Sequence, residues 1–125
     1  MSRFLLRATF GLLTFLIYFL GAERSANAGS ATNQIITSTL IEETQNWKGQ
    51  DGVFFVIFPT ANLQPPSCAS GQNTRFAVNP ATDGGKALMA ALLTAYAQKR
   101  PVSVQGSGAC DIWPDTETIL YIQTF

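Results

Sequence analysis

The sequence predicts a mainly β domain, five strands and one helix closing into a small barrel, behind a short export segment. Three observations carry that prediction. Runs rich in β-branched and aromatic residues recur between clusters of glycine, proline and asparagine. A single stretch, "GKALMAALLTAYAQKR", holds the good helix formers. Two cysteines, Cys68 and Cys110, lie in turn-rich segments at the ends of strands.

The chain opens with the pattern of an export signal. Arg3 and Arg7 precede the apolar run "ATFGLLTFLIYFL", and "SANA" follows with Ala26 and Ala28 as the small residues a signal peptidase requires. Cleavage is therefore expected after Ala28, with residues 29–125 as a single domain. A membrane anchor needs about 20 apolar residues. Here Arg7 on one side and Glu23 and Arg24 on the other hold the run short, so no stable span is expected after cleavage. The implied location is the periplasm or the medium outside the cell. In residues 29–125 five basic side chains face seven acidic ones, a net charge of −2, with no basic stripe to displace counterions from phosphate. That argues against a nucleic-acid partner.

An exported domain of this size has a modest core and needs a tie. With the signal removed no other cysteine competes, so a Cys68–Cys110 disulfide is the simplest pairing. Metal or thiol chemistry has no support: the chain has no histidine and no CxxC spacing, and no metal or cofactor is expected.

The elements follow in order. "QIITSTLIEET", Gln34 to Thr44, is the first strand, with Ile35, Thr37, Thr39 and Ile41 on one face and Ile36, Ser38 and Leu40 on the other. Asp51-Gly52 signals a hairpin into "VFFVIF", which is apolar at every position and so is expected to be covered on both sides. Pro59, Pro65 and Pro66 mark a long loop, and "RFAV", residues 75 to 78, is a short third strand. Thr82 or Asp83 caps the helix, Lys99 and Arg100 fall in its last turn, and Pro101 stops it. Leu88, Leu92 and Ala95 form one apolar line, with Met89, Leu93 and Tyr96 beside it. "PVSVQ" and "ETILYIQTF" are the fourth and fifth strands, joined by the turn "GSGACDIWPD".

Strand, strand, strand, helix, strand, strand is the order of a five-stranded Greek-key barrel of the OB type, with the helix between the third and fourth strands. An α+β sandwich, one antiparallel sheet with the helix on one face, has the same local pattern, and patterning alone does not separate the two.

The element order, the apolar strand "VFFVIF", the passage "GKALMAALLTAYAQKRPVSVQ" and a signal peptide followed by one disulfide together resemble the B subunits of bacterial AB-type toxins of the subtilase-cytotoxin and pertussis-like kind. The resemblance covers most of residues 29–125 and includes no catalytic signature. It implies an OB-fold subunit that assembles into a ring, usually a pentamer, beside an enzymatic A subunit, and binds host-surface glycans. On that basis Thr32, just ahead of the first strand, takes the place of the hydroxyl residue that helps hold sialic acid, with Ser30 close by. Trp47 and Trp113 are the candidate aromatic faces for a sugar ring. Where related subunits carry a basic residue near the end of the second strand, this chain reads Pro59-Thr60, so a neutral ligand or none fits it as well.

Each assignment has a plainer alternative. Val53 to Phe58 is first of all a core strand, and its second covering is either the chain's own helix or a neighbouring subunit, which favours an oligomer. Trp113, next to Pro114 and near Cys110, is expected to pack against the disulfide, leaving Trp47 as the exposed aromatic. Thr32 also reads as an ordinary polar residue near a loose N-terminus. An enzyme is not expected: no histidine can serve as base, Glu42 and Glu43 point to opposite sides of a strand, and "GSG" at residues 106 to 108 is not followed by a helix. A monomeric envelope protein with a structural or inhibitory role is the alternative function.

Overall fold

The computed structural model describes residues 27–43 and 51–125. Residues 1–26, most of the expected export segment, and Trp47 lie outside the described residues. The first surprise is where the chain bends. Of the expected first strand from Gln34 to Thr44, Ser38–Glu42 forms β2, while Gln34 instead ends an earlier strand, β1, Ser30–Gln34, that the sequence did not signal. Asn33 adopts a left-handed backbone (φ 50°), and the register of β1 against β5 (Val102–Gly106) slips between Ala31 and Gln34. A bulge of this kind bends the strand. Over Ile35–Thr37 the chain leaves one sheet for the other, with Ile36 buried at the corner and the Thr37 N–H and hydroxyl both donating to the Ile57 carbonyl.

The remaining elements are β3 (Val53–Ile57), β4 (Arg75–Val78), α1 (Asp83–Gln98) and β6 (Ile119–Thr124). Two antiparallel three-stranded sheets result, ordered β1-β5-β6 and β2-β3-β4. The described residues are thus mainly β with one α-helix, but their strands do not close into one barrel, nor do they form the single sheet of the α+β sandwich. On the side opposite the β1–β2 corner, the two sheets meet through one parallel bridge, Ala77 to Thr118, where the Ala77 N–H donates to the Glu117 carbonyl at 2.8 Å. The ladder goes no further there because residues 107–118 form a turn of their own: Thr118 N–H donates to Ala109 O, and Ser107 N–H to Thr118 O.

Phe54, Val56, Phe76, Val78, Val102 and Val104 fill the space between the sheets, and α1 closes it with Leu92 and Ala95. Leu88 and Met89 are partly buried there, whereas Leu93 and Tyr96 face solvent, so the helix packs along one stripe. Thr82 caps α1, its hydroxyl accepting from Gly85 N–H at 2.9 Å. At the other end Lys99 lies just past the last turn, in a left-handed conformation (φ 52°). Its N–H bonds Tyr96 O and the Arg100 N–H bonds Ala95 O, the paired closure in which glycine is the usual residue.

The second face of β3 is covered by the chain itself. Val53 and Phe55 are buried beneath Ile112 and Trp113, and Trp113 meets Phe55 edge to face at 5.6 Å. This corrects the choice posed by the sequence, which assigned that role to the helix or to a neighbouring subunit. Two ties hold the covering segment. One is the Cys68–Cys110 disulfide, which anchors it to a 3₁₀ turn, Ser67–Gln72. The other is Arg75, which donates to Thr116 Oγ1 at 2.7 Å and Asp115 Oδ1 at 2.9 Å while its guanidinium lies over the Phe55 ring at 4.4 Å. Among the described residues no helix is long and apolar enough to cross a membrane.

Candidate functional site

The outer face of the β1-β5-β6 sheet follows from strand alternation. Val102 and Val104 point inward, so Ser103 and Gln105 point outward. Cross-strand register places Ser30 opposite Gln105 and Gln105 opposite Tyr121; one step along, Ser103 is opposite Gln123. The bulge in β1 sets Thr32 and Asn33 together against Ser103, and the Asn33 N–H donates to Ser103 Oγ at 2.9 Å. A second register shift, beside Gln105, leaves Leu120 as the extra residue, and Leu120 and Tyr121 are 62% and 57% exposed. Among the described residues the result is one face of hydroxyls and amides without a charged side chain on its strands, with a phenol ring at one side.

Of the residues singled out from sequence, Thr32 and Ser30 lie on this face. Thr32 is exposed and sits within β1, not ahead of the first strand, because Ala31 already pairs with Val104 and is buried. Ser30 is half-buried, and its backbone exchanges hydrogen bonds with Leu63 at 2.9 and 2.8 Å. Trp47 lies outside the described residues, and Trp113 is engaged with Phe55, within the covering segment tied down at Cys110. Cys68 and Cys110 are joined, with Cα atoms 6.3 Å apart. The sequence reading missed Tyr121, Gln123, Ser103 and Gln105. Alternation in "PVSVQ" carried the signal for the last two, but nothing local says which strand β1 pairs with, and that pairing assembles the face.

A recess of about 340 Å³ lies between the end of α1 and the end of β6. It is lined by Ala90, Ala91, Ala95, Arg100 and Phe125 among others, and the Thr94 hydroxyl at its wall is already bonded to Ala90 O. Among the described residues no group of three or more His, Cys, Asp or Glu could hold a metal ion. Comparison of the chain with protein-family models, with curated proteins and with solved structures finds no match.

Proposed function

We propose that the chain is an exported, non-enzymatic binding subunit of OB-like build that recognises neutral carbohydrate on the outer face of the β1-β5-β6 sheet. One observation carries this reading: Thr32, Ser103, Gln105, Gln123 and the exposed Tyr121 share a face on which, among the described residues, the strands place no charged side chain. Sugar hydroxyls need neutral donors and acceptors, and the C–H side of a sugar ring stacks on an aromatic. Tyr121 supplies the aromatic face expected of Trp47. The OB-like build is supported by the bent β1–β2 passage between sheets, by α1 between β4 and β5, and by the Ala77–Thr118 bridge. A ring of such subunits would turn several weak sites into avidity, and an enzymatic A subunit is its implied partner.

The test is a glycan array on the purified domain, followed by titration of any hit. Tyr121→Ala should weaken binding at least about tenfold, about 1.4 kcal/mol, without lowering the melting temperature. Silence across neutral and sialylated sugars, or a hit indifferent to Tyr121 and Thr32, removes the reading. One observation favours the alternative, a monomeric envelope protein with a structural or inhibitory role: β3 is covered on its second face by Ile112 and Trp113, so its burial no longer calls for a neighbouring subunit. Analytical ultracentrifugation decides between ring and monomer.

A further inference from the structure

Glu117 is the one fully buried ionisable side chain among the described residues. Its Oε1 accepts the backbone N–H groups of Gly29, at 2.8 Å, and Gly108, at 2.9 Å, while Oε2 is buried without a partner among the described residues. The ion pairs among the described residues, Arg75–Asp115 and Lys86–Asp83, do not reach it. The surroundings are shaped to admit a carboxylate. A Cβ on Gly106 would overlap the carboxyl group, and one on Gly29 would collide with Oε2 and come within 3.2 Å of the Pro65 Cα. A carboxylate enclosed in this way is costly unless a proton or a cation joins it, and a cation would also partner the free oxygen.

Gly29 N is the atom that cleavage after Ala28 would release. We propose that removal of residues 1–28 completes the fold, the new α-ammonium of Gly29 forming a buried ion pair with the Glu117 carboxylate. The step balances with water alone and needs only the export peptidase: the Ala28 C–N bond breaks, hydroxyl goes to the Ala28 carbonyl carbon, hydrogen goes to the Gly29 nitrogen, and the amine takes a further proton from solvent. An amide nitrogen offers Glu117 one hydrogen and no charge. The ammonium at the same place offers three hydrogens and a positive charge, enough to serve Oε2 as well as Oε1. The glycine at position 29 suits both sides of the event, being small after the cut and lacking the Cβ that would strike Glu117 in the folded domain.

The inference rests on the export reading and not on the carbohydrate reading, and two measurements keep its parts distinct. Purified domains beginning at Gly29, beginning at Asn27, and beginning at N-acetylated Gly29 are melted side by side, with and without Glu117→Gln. The free Gly29 form should melt at least about 5 °C above the other two, and Glu117→Gln should abolish the gap. Equal melting of the free and acetylated forms, or a gap that survives Glu117→Gln, overturns the ion pair. The acetylation comparison keeps native Glu117, so it decides even if the glutamine variant fails to fold. N-terminal sequencing of the exported protein tests the processing step separately, and a start other than Gly29 overturns it.

Discussion

Replacing both Cys68 and Cys110 with alanine should cost the domain about 4 kcal/mol, nearly all of it through the unfolded chain. The bridge closes a loop of sequence separation 42, for which the chain-entropy relation gives about that value. The loop carries β4, α1 and β5, so opening it frees the chain that links one sheet to the other. Little burial is lost directly, since Cys68 is exposed and Cys110 half-buried. With an unfolding entropy of about 2.1 cal/mol/K per residue over residues 29–125, 4 kcal/mol corresponds to a fall in melting temperature of about 20 °C. Scanning calorimetry of the double variant beside the oxidised wild type measures it, and reduction of the wild type should reproduce it. A fall under about 5 °C would show that the bridge constrains the unfolded chain little and would refute the chain-entropy estimate.

Three further outcomes are expected from thermal or urea melts. Gly85→Ala should destabilise by about 1–3 kcal/mol although alanine is the better helix former, because its Cβ would overlap the Asn79 carbonyl oxygen. Lys99→Gly should stabilise by about 1 kcal/mol, reversing the usual ranking for the opposite reason, a positive φ at the helix closure. Arg75→Met should cost about 1–3 kcal/mol and loosen Trp113, seen as a loss of near-ultraviolet circular dichroism, since the guanidinium bonds Thr116 and Asp115 and covers Phe55.

Elements whose cues are local were legible in the sequence. "RFAV" is β4 at residues 75–78, and Thr82 and Pro101 bracket α1 through capping and the lost N–H of proline. The apolar run Val53–Phe58 is buried on both faces, as its composition implies. The β1–β2 break was not legible, because Ile35 to Ile41 alternates well enough for one strand and the bend comes from a left-handed Asn33 and from pairing with two different partners. The cover over Phe55 was hidden for a similar reason: "CDIWPD" reads as a turn, and only the disulfide and Arg75, 40 residues earlier than Asp115, bring it onto β3. Thr32 can be picked out locally, whereas the residues that share its face lie on strands about 70 to 90 positions away and follow from register alone.

The β1–β2 break and the missed neighbours of Thr32 share a physical origin, and it joins the candidate face to the buried carboxylate. β1 is short, directly follows a glycine, and is held at its start by contacts distant in sequence: Gly29 N–H to Glu117, Gly106 N–H to Gly29 O at 2.7 Å, and the Ser30–Leu63 pair. Ser30 and Thr32 follow within three residues, so the geometry of the face is set by how firmly Gly29 is seated. If seating improves when the α-ammonium forms, an N-terminal extension or Glu117→Gln should weaken any ligand held by Thr32 along with lowering the melting temperature, whereas Tyr121→Ala should weaken the ligand alone. Affinity that tracks the state of Gly29 would tie export to binding competence in one small strand, and affinity indifferent to it would place the ligand elsewhere on the domain.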